Sequence, residues 1–200
     1  MNQREELDEL EVIERYIILL LGTVNRPVPS REHLQKELFI LSRTNPKIAR
    51  FITFEKHYEG PYSLDIDELL RNPMYYPEAY QIDKNGRCWL TTKGKEIYGD
   101  IVEKYSENPR FRELISIMKM IRNMYEKLSK EELLFLIYIT YPEYREKSNI
   151  SDKLLSTKKR KELSKRLLQK GVITEERYKE LVRNNDQGDS RQQFLHMFYR

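Results

Sequence analysis

The stretch from His57 to Tyr98 constrains the fold of this chain more than any other. It begins His57-Tyr58-Glu59-Gly60-Pro61-Tyr62-Ser63, passes into a short helical pattern, then into two runs of β-formers separated by Asp83-Lys84-Asn85-Gly86. Gly60 and Pro61 punctuate the chain, since Pro61 fixes its own φ, lacks a donor and biases Gly60 away from helix. Ser63 stands at an N-cap position, with Asp65 and Asp67 in the first turn, where carboxylates meet the positive end of the helix dipole. Asn72-Pro73 stops this helix. Tyr80-Gln81-Ile82 and Arg87-Cys88-Trp89-Leu90 read as paired strands, and Asn85-Gly86 between them predicts a type I′ turn with both residues at positive φ. Thr91 or Thr92 caps a further helix, which carries Ile97, Ile101 and Tyr105 at helical spacing. This order predicts a winged helix: a mainly α (α+β) fold with a small β-hairpin wing, followed by a helical C-terminal annex.

The rest of the pattern is helical. Leu7, Leu10, Ile13, Ile17 and Leu20 recur on one face and predict a helix over about residues 5–21, closed by Gly22. Residues 25–29 form an extended connector, and Ser30 caps a second helix to about Ser42 with Leu34, Leu38 and Leu41 inward. Phe51-Ile52-Thr53-Phe54 reads as a short strand or a helix tail, and both alternatives stay open. After Asn108-Pro109, the residues Phe111, Leu114, Ile115, Met118, Ile121 and Tyr125 form one apolar stripe. Ser129 caps a helix that Pro142 ends. A basic stretch from Ser151 leads to Leu163, Leu167 and Leu168, Gly171 terminates that helix, and Thr174-Glu175-Glu176 opens the last one. The expected organisation is a winged helix in residues 1–105, a helical region in 106–184 and a polar tail in 185–200, where Phe194, Leu195, Met197, Phe198 and Tyr199 cluster.

At 200 residues and 39% hydrophobic content, the chain can bury one good core, or one core and a smaller annex. No run of about 18 apolar residues crosses a membrane. Acidic residues precede the apolar stretch 16–21 and no small-residue cleavage site follows, so it reads as a core helix rather than a signal peptide. The one cysteine, Cys88, excludes an internal disulfide and fits a reducing cytoplasm.

Charge is unevenly distributed. Residues 1–105 carry 15 Lys/Arg against 18 Asp/Glu, and residues 106–200 carry 21 against 14. The helix from Ser63 to Arg71 holds Asp65, Asp67 and Glu68 against a single arginine. Phosphate neutralisation dominates DNA affinity, so this helix suits a major groove poorly. The wing is more basic, with Lys84, Arg87, Lys93 and Lys95. The run Lys158-Lys159-Arg160-Lys161, with Lys165, Arg166 and Lys170, is either a phosphate grip or a solvated helix face.

Enzyme chemistry finds little support. His33, His57 and His196 lack metal-ligand spacing, and no CxxC occurs. Cys88 beside Trp89 on a strand reads as a buried thiol. Thr92-Lys93-Gly94-Lys95 lacks the upstream glycine of a phosphate loop. The expectation is no enzyme, no metal and no cofactor.

The strings Leu34-Gln35-Lys36-Glu37-Leu38 and His57-Tyr58-Glu59-Gly60-Pro61-Tyr62-Ser63 resemble the YwgA-like and Panacea (SocA antitoxin-like) domains. Those domains carry a leucine-rich "LQKLLY" helix and a "YGPY/V" turn; here Glu59 stands where an aromatic is common. Tyr141-Pro142-Glu143-Tyr144 with Ser148 is similar to the C-terminal part of YwgA-like proteins, and the resemblance spans roughly residues 10–150. Residues 166–182, with Gly171-Val172-Ile173-Thr174-Glu175-Glu176, are similar to a short C-terminal oligomerisation motif; the other reading of the same residues is a plain αα-hairpin with a glycine stop. The resemblance implies a small, non-enzymatic winged-helix protein, antitoxin-like in some members. The expected function is DNA binding for transcription regulation through the wing and the basic helix. The alternative is a protein-interaction module whose acidic helix docks a partner. A homodimer joined through the helices after Pro109 is expected, the alternative being a monomer whose apolar stripe is buried internally against the winged-helix core.

Overall fold

The structure, a computed structural model, describes residues 3–183, with side chains from Glu9 onward. The side chain of Leu7, residue His196 and the tail 185–200 with its cluster Phe194, Leu195, Met197, Phe198 and Tyr199 lie outside the described residues. The fold is mainly helical with two small antiparallel hairpins. Its elements are α1 (Gln3–Gly22), α2 (Arg31–Thr44), β1 (Glu55–His57), β2 (Gly60–Tyr62), α3 (Leu64–Arg71), β3 (Tyr80–Ile82), β4 (Cys88–Leu90), α4 (Thr92–Lys104), α5 (Pro109–Tyr125), α6 (Lys130–Thr140), α7 (Ser151–Leu155), α8 (Thr157–Gln169) and α9 (Glu175–Arg183). They divide into two compact units, residues 1–54 with 63–126, and residues 55–62 with 127–200. The cut differs from one at 105/106: α5 belongs to the first unit, and the β1–β2 hairpin belongs to the second.

The first unit is a winged helix. Ile13, Ile17 and Leu20 of α1 are buried, and so are Ile18, Leu19 and Leu21. The buried surface is wider than one stripe because α1 packs against α2, α3, α4, α5 and β4. The Ser30 hydroxyl accepts the His33 amide at 3.2 Å and caps α2, whose Leu34, Leu38 and Leu41 are fully buried. In the connector, Val28 exchanges two backbone hydrogen bonds with Cys88, at 2.8 and 3.1 Å. This one-residue bridge lies beside β4, which pairs with β3 in the register Tyr80↔Leu90, Gln81↔Trp89 and Ile82↔Cys88.

Three local expectations are corrected in this unit. The wing turn is not type I′: Gly86 has φ +81° while Asn85 stays at negative φ. Gly86 donates to the Asp83 carbonyl at 2.9 Å, and the Asp83 carboxylate accepts the Asn85 and Arg87 amides, each at 2.9 Å. That side chain holds a right-handed turn over Asp83–Gly86, so only the glycine need be left-handed. Residues 51–54 form neither strand nor helix; a 3-10 turn over Ile48–Arg50 precedes them and β1 begins at Glu55. Ser63 occupies the N-cap position of α3, but its buried hydroxyl makes no hydrogen bond among the described residues.

The apolar stripe on α5 is split. Met118, Ile121 and Tyr125 are fully buried, and α5 packs on α1 and α2; Phe111, Leu114 and Ile115 are half-buried. Charged groups are also interior, Glu14 and Arg122 among them. Glu14 of α1 accepts the backbone amides of Met74, Tyr75 and Tyr76 at 3.2, 2.8 and 3.3 Å, which pins the loop between α3 and β3. Arg122 of α5 is fully buried and donates to the carbonyls of Leu20, Leu21, Val24 and Arg26 at 2.6–3.2 Å. A cation there satisfies the orphan carbonyls at the negative end of α1.

The second unit opens with the segment His57–Tyr62, which is itself a hairpin. β1 and β2 pair in the register Glu55↔Tyr62, Lys56↔Pro61 and His57↔Gly60, with Gly60 at φ +84°. α6 begins with a capping box between Ser129 and Glu132 and is buried almost all round, from Glu132 to Tyr138. α8 and α9 pack together. Gly171, at φ +63°, closes α8, with Gly171 and Val172 donating to the carbonyls of Leu168 and Leu167 at 2.9 Å.

Candidate nucleic-acid interface

The cations expected to meet phosphate differ in how far they are already committed. On the wing, Arg87 is ion-paired with Asp83 at 2.8 Å and Lys93 with Glu78 at 3.4 Å. Some desolvation works against it, but the Arg87 side chain and the two turn amides hold the Asp83 carboxyl below its ordinary range. Lys84 and Lys95 are exposed and make no ion pair among the described residues. Lys95 borders an open cleft of about 340 Å³, lined also by Arg26, Pro27 and Trp89.

Helix α3, at the recognition position of the fold, carries no uncommitted cation. Arg71 is held by Asp67 at 2.6 Å on the same helix. Its exposed residues include Leu64, at 58% exposure, and Glu68, and Met74 just beyond it is 56% exposed. This surface is apolar and acidic.

Helix α8 has a different make-up. Lys159 pairs with Glu131 at 2.8 Å and Glu162 at 3.4 Å, and Arg166 pairs with Glu162 at 2.7 Å. The Lys159 ammonium holds the Glu131 carboxyl below its ordinary range. Arg160 is half-buried. Lys170 is structural: its ammonium reaches the buried Glu132 at 2.6 Å and the Lys127 carbonyl at 2.8 Å, tying the end of α8 to the start of α6. Lys158, Lys161 and Lys165 are exposed and make no ion pair among the described residues. Their spacing puts all three on one face, over about 10 Å of helix at 1.5 Å per residue. The structure thus brings together three free lysines of the six α8 residues, all in the second unit. The wing residues lie in the first.

Sequence reasoning missed an aromatic cluster in the second unit. The His57 ring stacks on Tyr62, with centroids 4.9 Å apart, and meets the Tyr58 ring edge-on at 5.2 Å. Tyr58 is 62% exposed at the hairpin tip. The hairpin register, which pairs Glu55 with Tyr62 and His57 with Gly60, puts His57 and Tyr62 on one face, and the polar residues of β1 carried no sequence signal for it. Elsewhere, burial above all pushes the Cys88 thiol up to about 12, with Arg31 opposing it and nearby carboxylates adding to it, so it is protonated at neutral pH. Among the described residues, no group of His, Cys, Asp or Glu side chains is placed to hold a metal ion, and no helix is long and apolar enough to cross a membrane. No protein-family model matches this chain, and no curated protein matches it.

Proposed function

We propose that the protein is a DNA-binding regulator of the reducing cytoplasm whose phosphate contacts come mainly from α8. The observation that carries this is the row Lys158, Lys161 and Lys165, solvent-exposed on one helix face with no carboxylate paired to any of them among the described residues. Unpaired lysines release counterions from DNA, whereas lysines already bound to carboxylates gain little. The wing adds Lys84; Arg87 contributes less because Asp83 holds it. The resemblance to YwgA-like and antitoxin-like domains fits a non-enzymatic regulator. Gel shifts with DNA fragments at two salt concentrations test the reading. Replacing the three α8 lysines by glutamine should flatten the slope of log K against log salt by about three units, and Lys84→Ala by about one. Unchanged slopes would refute it.

A second reading rests on α3. Its apolar and acidic surface, with Leu64 and Met74 exposed beside Glu68, fits a partner protein that presents basic and apolar residues. Loss of partner binding in Leu64→Asp with DNA binding intact would support that role. We further propose a homodimer through the half-buried residues Phe111, Leu114 and Ile115 of α5. Light scattering that gave the 24.3 kDa monomer mass at micromolar concentration would exclude it.

A further inference from the structure

The β1–β2 hairpin carries a row of three aromatic rings, in which His57 touches both tyrosines and the outermost, Tyr58, is 62% exposed. His57 lies on Tyr62 with an interplanar angle of 28°, and Tyr58 closes the row at 61° to His57. An exposed tyrosine at a hairpin tip, with its neighbours already stacked, offers a rigid ring face at low entropic cost.

The hairpin and α8 are linked through the first turn of α6. Glu59, next to Tyr58, pairs with Lys130 at 2.7 Å, and Glu131, the next residue along, pairs with Lys159 of α8 at 2.8 Å. These two ion pairs tie the hairpin tip and the first turn of α8 to the same turn of α6. They also consume the carboxylates of Glu59 and Glu131, which would otherwise repel an anion. Both features belong to one unit, so their separation does not depend on any other part of the chain.

We infer that the second unit binds single-stranded nucleic acid, stacking unpaired bases on Tyr58 and His57 while Lys158, Lys161 and Lys165 hold the backbone. Ring faces beside a basic track are what unpaired strands require, because their bases are free to stack and their phosphates still need neutralising. A duplex offers the same phosphates but keeps its bases stacked inside, so the rings add nothing to duplex binding. The inference rests on the reading of α8 as a phosphate-binding helix and specifies which form of nucleic acid it takes.

The test is fluorescence anisotropy of the full chain with a 20-nucleotide oligothymidine and with a 20-base-pair duplex, at two salt concentrations. The wild type should bind the single strand more tightly than the duplex. Tyr58→Ala should weaken single-strand binding about tenfold, leave duplex binding unchanged and leave the salt slope unchanged, and Tyr58→Phe should restore affinity. Tyr58 is exposed, so neither variant should alter the melting temperature, which serves as the folding control. Equal or tighter duplex binding would overturn the inference while leaving the α8 reading standing. So would single-strand binding that is insensitive to Tyr58→Ala yet lost on replacing the three lysines. Binding of neither oligonucleotide would overturn both and leave the aromatic tip as a protein-contacting surface.

Discussion

The side-chain amide of Gln35 clamps the backbone of Ser63: Nε2 donates to the Ser63 carbonyl at 2.9 Å, and the Ser63 amide donates to Oε1 at 3.0 Å. Both residues are buried, so a glutamine on α2 satisfies the start of α3 much as a neighbouring strand would. The strings Leu34–Leu38 and His57–Ser63, which carry the resemblance to winged-helix families, meet at this point. Gln35→Leu strands the buried Ser63 amide and should destabilise the protein by about 2 kcal/mol in urea unfolding. Ser63→Ala should stay within about 0.5 kcal/mol of wild type, whereas a working N-cap would lose about 1 kcal/mol.

Three glycines should respond in three ways. At Gly94 an added Cβ would sit 1.8 Å from the Ala79 carbonyl oxygen, backbone that cannot step aside, so Gly94→Ala should be severely destabilising. At Gly86 there is room, but φ is +81°, and Gly86→Val should cost about 1 kcal/mol or more through backbone strain alone. Gly99, inside α4, meets nothing within 4 Å, and Gly99→Ala should stabilise by about 0.5–1 kcal/mol. Thermal melts of the three variants check the ranking.

Arg122 is the interior cation that closes the end of α1. Besides the carbonyls it pairs with Glu126, and Arg26 shares that carboxylate at 2.5 Å. Arg122→Met would leave buried carbonyls without donors and Glu126 with one partner, a loss of about 3 kcal/mol in chemical denaturation. Arg122→Lys should recover only part of it, since an ammonium lacks the planar fork that reaches several acceptors.

Glu37 of α2 is fully buried, and neither of its carboxylate oxygens has a hydrogen-bond partner among the described residues. Burial first, then the Glu126 carboxylate, raise its pKa well above the ordinary 4.5; Arg122 and Arg26 offset this only in part. The native state therefore keeps a proton that the unfolded chain gives up. Its contribution is fully present below the unfolded value near 4.5 and is lost as pH rises toward the folded value, at up to about 1.4 kcal/mol per pH unit. The difference in melting temperature between Glu37→Gln and wild type should widen in favour of the variant from pH 5 upward. A constant difference between pH 5 and 8 would show that Glu37 is ionised in the folded protein.

What could be read from sequence was local. Ser30, Thr91, Ser129 and Gly171 mark helix ends by chemistry within three or four residues, and each acts as expected. The β3–β4 pairing followed from the β-formers flanking Asp83–Arg87, whereas the bridge from Val28 to Cys88 did not show in a connector read only as extended. Strand β1 was not legible, because Glu55-Lys56-His57 is polar and gains its register only from β2. The fate of the charges was equally hidden. Glu14, Glu37 and Arg122 occupy helix positions that look solvated, and only tertiary packing puts them inside. Whether a lysine of the α8 run is free depends on distant carboxylates: Glu131 engages Lys159 and Glu132 engages Lys170, and neither could be anticipated from the run itself.

The β1–β2 hairpin leaves the first unit after Phe54 and returns at Ser63, so the chain passes between the units three times rather than once. A truncation after Glu126 would therefore not isolate the winged helix, because it would carry eight residues that belong to the other unit. Deleting them offers a cleaner dissection. Glu55 and Tyr62 face each other across the hairpin, with Cα atoms about 5.5 Å apart or less, so a bridge of one or two residues suffices to join Phe54 to Ser63. Such a shortened chain, ending at Glu126, is the minimal piece in which the winged helix can be asked to fold by itself.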